Sequence, residues 1–176
     1  MHRPNLSLSY YALFVVFAIL IICVSESYAE TAIKQTTVKS AGETIVAAQF
    51  PGLAVQIKIG AHEVTIGKPS DGRPEAIRSN CTYSRYPCSI VDYLDISVNG
   101  KPVFVPRSVF SDLADLNTAE IRRDGNGAEL TLNGGDASES YTIEILLNKA
   151  FIKSRTLIDG ESGKTLQKTN YFQVID

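Results

Sequence analysis

The sequence predicts an all-β domain, an antiparallel sandwich or small barrel of about eight or nine strands with one short helix. Three observations lead there. Apolar and polar residues alternate along most of the chain, which is the period of a half-buried strand. Clusters of Gly, Asn and Asp separate the alternating runs at short intervals. One stretch alone breaks the alternation with helical spacing.

The runs follow one another in order. In LAVQIKI (53–59), Leu53, Val55, Ile57 and Ile59 share a face. Gly60-Ala61 reads as a turn into HEVTI (62–66), which places His62 inward with Val64 and Ile66. No strand is predicted before Leu53. The segment from Gly67 to Cys88 holds three prolines and few aliphatics, so it reads as a long surface loop. SIVDYLDISV (89–98) groups Ile90, Leu94, Ile96 and Val98 and puts Asp92 on their face, unless the strand begins after Asp92. Asn99-Gly100 is a strong hairpin signal leading into KPVFV, where Pro102 lacks a backbone donor and points to a sheet edge. SVFSDLADL (108–116) repeats Val109, Leu113 and Leu116 at helical spacing, with Ser108 as N-cap of one or two turns. AEIRR (119–123) and AELTL (128–132) form the next hairpin, YTIEILL (141–147) and FIKSRTLI (151–158) another, and KTLQKTNYFQV (164–174) the last strand.

The N-terminus fixes the expected compartment. An apolar run from Ala12 to Val24 follows Arg3. As a helix at 1.5 Å per residue it spans about 20 Å, short of a hydrocarbon core of about 30 Å. Small residues Ser27 and Ala29 then supply a cleavage site, so residues 1–29 read as a signal peptide cut before Glu30. Residues 30–176 are left as one β domain, periplasmic or secreted, with no membrane span after cleavage. Its remaining cysteines, Cys81 and Cys88, read as a disulfide. Closing so short a loop contributes about 2.5 kcal/mol, which clamps a loop without holding the fold together.

Composition narrows the function. A net charge of −2 with scattered charges offers no basic patch for nucleic acid. After cleavage one histidine and a cystine remain, too few ligands for an ordinary zinc site, and no metal or cofactor is expected. DGESGKT (159–165) resembles a phosphate loop only at its end, because Ile158 stands where the leading glycine belongs and a strand follows. No G-x-S-x-G is present, so serine hydrolysis has no signature.

Two loops remain as candidate sites. CTYSRYPC (81–88) carries Tyr83, Arg85 and Tyr86, residue types that dominate interface energetics, in a covalent ring that loses little entropy on binding. Its tyrosines serve equally well as core. NGGDASESY (133–141) brings Asp136 and Glu139 together, with Arg107 as a possible partner for either. This loop is expected to be a structured turn, with Gly134-Gly135 at positive φ and the two carboxylates capping backbone amides. Asp136, Ser138 and Ser140 also have the spacing of calcium ligands, but Tyr141 and Leu147 stand where a tight calcium loop needs Gly and Glu.

PRS (106–108) with GGDASESY (134–141) resembles patterns in a family of small exported bacterial β proteins with no assigned activity. The resemblance is confined to the C-terminal part and implies a shared fold without a chemistry. In sum the residues lead one to expect an exported non-enzymatic domain, inhibitor-like or immunity-like, that binds a protein or envelope ligand. The alternative is a hydrolase of the envelope using carboxylates such as Asp136, Glu139 or Asp92.

Overall fold

A computed structural model describes residues 35–66 and 81–173. The expected signal peptide and most of the expected long loop lie outside the described residues. The fold is all-β, and the described residues hold ten strands: β1 (Thr36–Thr37), β2 (Gly42–Phe50), β3 (Leu53–Val64), β4 (Cys88–Val98), β5 (Lys101–Val103), β6 (Leu116–Asp124), β7 (Gly127–Gly134), β8 (Tyr141–Leu147), β9 (Ile152–Asp159) and β10 (Thr165–Asn170). They form two antiparallel sheets, one in the order β1-β6-β7-β8-β9-β10 and one in the order β2-β3-β4-β5, and neither closes into a barrel.

One apolar core joins the sheets. Val46, Leu53, Val55, Ile57, Ile59, Leu94 and Ile96 come from the four-stranded sheet, and Ile121, Leu130, Leu132, Ile143 and Ile145 from the other. Burying each large aliphatic contributes about 2 kcal/mol, and this set is what makes the architecture a sandwich. The hairpin at Asn99-Gly100 forms with φ of 52° and 75°, the left-handed pair that Asn-Gly supplies at little cost. Pro102 sits on edge strand β5, as its missing donor requires.

Several local expectations are corrected. Gly60-Ala61 is not a turn. β3 runs straight through it, so alternation continues from Leu53 and carries His62 to the exposed face. There His62 Nδ1 lies 2.7 Å from Asp92 Oδ1, and Asp92 is likewise exposed. The register shift opposite Gly60/Ala61 leaves Asp92 as an extra residue in β4, so Val91 and not Ile90 joins Leu94 inside. Tyr93 lies across Gly60, where any Cβ would fall about 2.0 Å from the ring. β2 forms from GETIVAAQF although small alanines blur its alternation, and it pairs with β3 from Gly42↔Ala61 to Phe50↔Leu53.

The single short helix shrinks to a 3-10 turn at Arg107–Val109, preceded by Pro106 with no side-chain cap, so Ser108 is not an N-cap. Val109, Leu113 and Leu116 are buried as their spacing implied, but Val109 and Leu113 lie on a segment with no α-helix that packs over the core, and Leu116 opens β6. Gly134 closes β7 without a positive φ, whereas Gly135 has φ 68°. What Gly134 provides is room, since a Cβ there would fall 2.4 Å from the Tyr141 ring.

Glu129 lies half-buried on the outer face of the six-stranded sheet. Partial burial pushes the Glu129 carboxyl above its ordinary range, and the nearby Glu144 charge adds to the effect. A raised folded-state pKa stabilises the fold at low pH, and that stabilisation is lost as pH rises through the folded value. Glu129→Gln should therefore melt higher than the parent near neutral pH, with the gap closing below the ordinary carboxylate range. Thermal melts across that window check it; a variant that melts lower at neutral pH contradicts it.

Candidate functional site

The two candidate loops meet. Cys81 and Cys88 are bonded, with their Cα atoms 5.6 Å apart, and the ring between them rests on the turn that precedes β8. That turn is a 3-10 turn at Ala137–Glu139, which β8 follows from Tyr141. The Tyr83 amide donates to Glu139 Oε2 at 2.6 Å, and the Ser84 hydroxyl donates to Asp136 Oδ2 at 2.5 Å. Asp136 does not cap its own turn. Both carboxylates hold the ring: Glu139 accepts a backbone amide, as the sequence suggested but from the other loop, whereas Asp136 accepts a hydroxyl.

Arg85 completes the attachment. Its guanidinium donates to the Asn117 side-chain oxygen, to the Asp115 carbonyl at 3.3 Å and to the Gly135 carbonyl at 3.4 Å. Asn117 in turn donates to the same Gly135 carbonyl at 2.7 Å. Arg107 takes no part. It lies exposed in its own 3-10 turn and makes no ion pair with Asp136 or Glu139.

Asp115 is the anchor beneath the ring. It is 1% exposed, sits at φ 51°, and its carboxylate accepts the Thr82 amide at 2.7 Å and the Ser89 amide at 2.8 Å. Its own amide donates to the Ser89 carbonyl, and its carbonyl accepts the Gly135 amide. One residue thus ties together both ends of the ring and the turn. Sequence reasoning misses it because Ala114-Asp115-Leu116 looks like the end of a helix. The usable signal was chemical: aspartate is among the few residues that enter the left-handed region readily.

The two ring tyrosines part company. Tyr83 is 54% exposed, whereas Tyr86 packs against the small cluster of Ile66, Cys81, Cys88 and Ala114. The core reading of the ring tyrosines thus holds for Tyr86 and not for Tyr83.

Beside the ring lies a cleft of about 270 Å³, bounded by Thr82 of the ring, Glu139 of the turn, and Leu157 and Asp159 of β9. Arg155 and Tyr141 form its inner wall. Arg155 is 2% exposed; its Nε donates to the Val109 carbonyl at 3.1 Å and its Nη2 to Asp112 at 2.7 Å. The Tyr141 hydroxyl donates to the Ala114 carbonyl and accepts the Ala114 amide, and burial pushes its pKa far above the ordinary phenol value. Asp159 is held below the usual carboxylate range, first by the Ser162 hydroxyl and then by the Ser162 amide. These groups are polar, but each already has hydrogen-bond partners in the protein. The cleft offers shape and hydrogen-bonding rims more than a free nucleophile.

Among the described residues no three His, Cys, Asp or Glu side chains converge as a metal site would, and no helix is long and apolar enough to cross a membrane. No family model matches the chain, and comparison with curated proteins and solved structures found no match.

Proposed function

We propose that this is an exported, non-enzymatic β domain, periplasmic or secreted, that binds a protein or cell-envelope component through the face made by the 81–88 ring and the adjoining cleft. One observation carries the proposal. The ring's polar groups turn inward onto Asp115, Asp136 and Glu139, while Tyr83 is 54% exposed. A ring held by its disulfide and by several charged hydrogen bonds is already ordered before it meets a partner, so little entropy opposes binding. An aromatic side chain on such a mount is the kind of residue that anchors an interface. Hydrolysis by paired carboxylates has less to rest on, because Asp136 and Glu139 each spend an oxygen on the ring.

The test is capture from envelope extract by immobilised protein, parent against Tyr83→Ala. Tyr83→Ala should leave the melting temperature within about a degree, since exposed substitutions change stability by under ~0.5 kcal/mol, and should lose the captured species. Tyr86→Ala should instead lower the melting temperature by several degrees, as expected for a packed aromatic. Equal capture by parent and Tyr83→Ala contradicts the proposal. Turnover of a glycan or peptide, lost in a folded Asp136→Asn protein, replaces it with the hydrolase.

A further inference from the structure

The sandwich has four sheet edges, and three are protected. β1 is two residues long, and β5 is three residues long and contains Pro102. β2 lies against β6 of the other sheet. Short strands, prolines and neighbouring chain are the usual means of keeping an edge from pairing. Among the described residues β10, Thr165–Asn170, has none of these: it is six residues long, without proline, and closes the six-stranded sheet with only Lys168 as a charge. Every residue of β10 except half-buried Thr169 is exposed.

The direction of its backbone groups can be read from one bond. The Tyr171 amide donates to the Lys153 carbonyl, toward β9. Backbone groups alternate along a strand, so the Thr169 amide also points to β9, and those of Lys168 and Asn170 point away from the sheet. Two open donor–acceptor residues flank a closed one on an unprotected edge.

We infer that two copies of this chain pair through β10, antiparallel and centred on Thr169, so that their six-stranded sheets become one continuous sheet. Opposed residues in an antiparallel pair share a sheet face, so a symmetric pairing must centre on a residue. Centring on Lys168 sets ammonium against ammonium. Centring on Gln167 runs the pair into the irregularity between Thr165 and Gln167. Centring on Thr169 sets Lys168 against Asn170 of the second copy, twice by symmetry. Those are the residues whose amides and carbonyls face outward, so each pair can exchange both of its backbone hydrogen bonds. Centring on Asn170, the last residue of β10, would oppose the rest of the strand to residues beyond its end, so charge, strand length and backbone direction together leave the Thr169 register.

Sedimentation analysis of the protein over a concentration series tests this. The parent should show a monomer–dimer equilibrium. Asn170→Lys puts two ammonium pairs across the axis and should weaken the dimer about tenfold or more, whereas Asn170→Asp puts Lys168 against a carboxylate and should tighten it by about as much, most clearly at low salt. Asn170 is exposed, and its amide faces away from β9, so both variants should melt like the parent. A parent that stays monomeric at every concentration overturns the inference. So does a dimer indifferent to both substitutions, or an edge that takes up an extended peptide without self-associating.

Discussion

Asp115→Ala should destabilise the domain by about 3–4 kcal/mol, the largest effect expected of any single polar substitution here. The carboxylate is buried and accepts two backbone amides, Thr82 and Ser89, at 2.7 and 2.8 Å. A hydrogen bond to a charged acceptor contributes about 1.5–3 kcal/mol, and an amide left buried without a partner costs about 1–3 kcal/mol. Alanine also resists the left-handed backbone at position 115, where φ is 51°. Asp115→Asn keeps one acceptor oxygen and tolerates that φ, so it should lose about half as much. Urea unfolding with an unchanged m-value checks the ordering. A loss under about 1 kcal/mol for Asp115→Ala would mean that the ring ends are held some other way.

Arg155→Ala should cost about 2–4 kcal/mol. The guanidinium fastens the 106–115 segment to β9 through Val109 and Asp112, and its stem fills core space between the sheets. Asp112 is 41% exposed at its side chain, so water can take it back once the arginine is gone, which keeps the loss below that for a fully buried pair. Arg155→Lys preserves the charge but cannot reach both partners with one ammonium, and should recover only part of the loss. Arg155→Met, which fills the stem's volume without the charge, separates packing from hydrogen bonding. Should Arg155→Ala prove neutral, the segment covering the core would be held by its buried apolar side chains and by the bonds of Ala114 and Asp115.

The fold was legible where alternation runs unbroken. LAVQIKI, AELTL and YTIEILL each bury the residues that period-2 spacing selects, and Asn99-Gly100 turns as its chemistry demands. Legibility failed at irregularities. The extra residue Asp92 in β4 shifts the phase of that strand, which is why Ile90 was grouped inside and Val91 was not. A second extra residue, Lys153 in β9, does the same to FIKSRTLI, bringing Arg155 to the inner face beside Ile145. No alternation rule applied to that run could place a charged residue there. The candidate site was legible as two separate loops. Their contact was not, because it depends on Asp115, whose role comes from a tertiary fold-back across segments far apart in sequence.

That contact is also what makes the ring a preformed surface, and amide hydrogen exchange of the free protein measures it directly. Thr82 and Ser89 should be strongly protected, Tyr83 less so but well below the rate of free peptide, because their acceptors are Asp115 and Glu139. Asp115→Asn should speed Thr82 and Ser89 while leaving the central strands β7 and β8 slow. If Thr82 and Tyr83 exchange as fast as unstructured peptide while the Cys81–Cys88 bond is intact, the ring is not held in place, and the proposed binding face does not exist before a partner arrives.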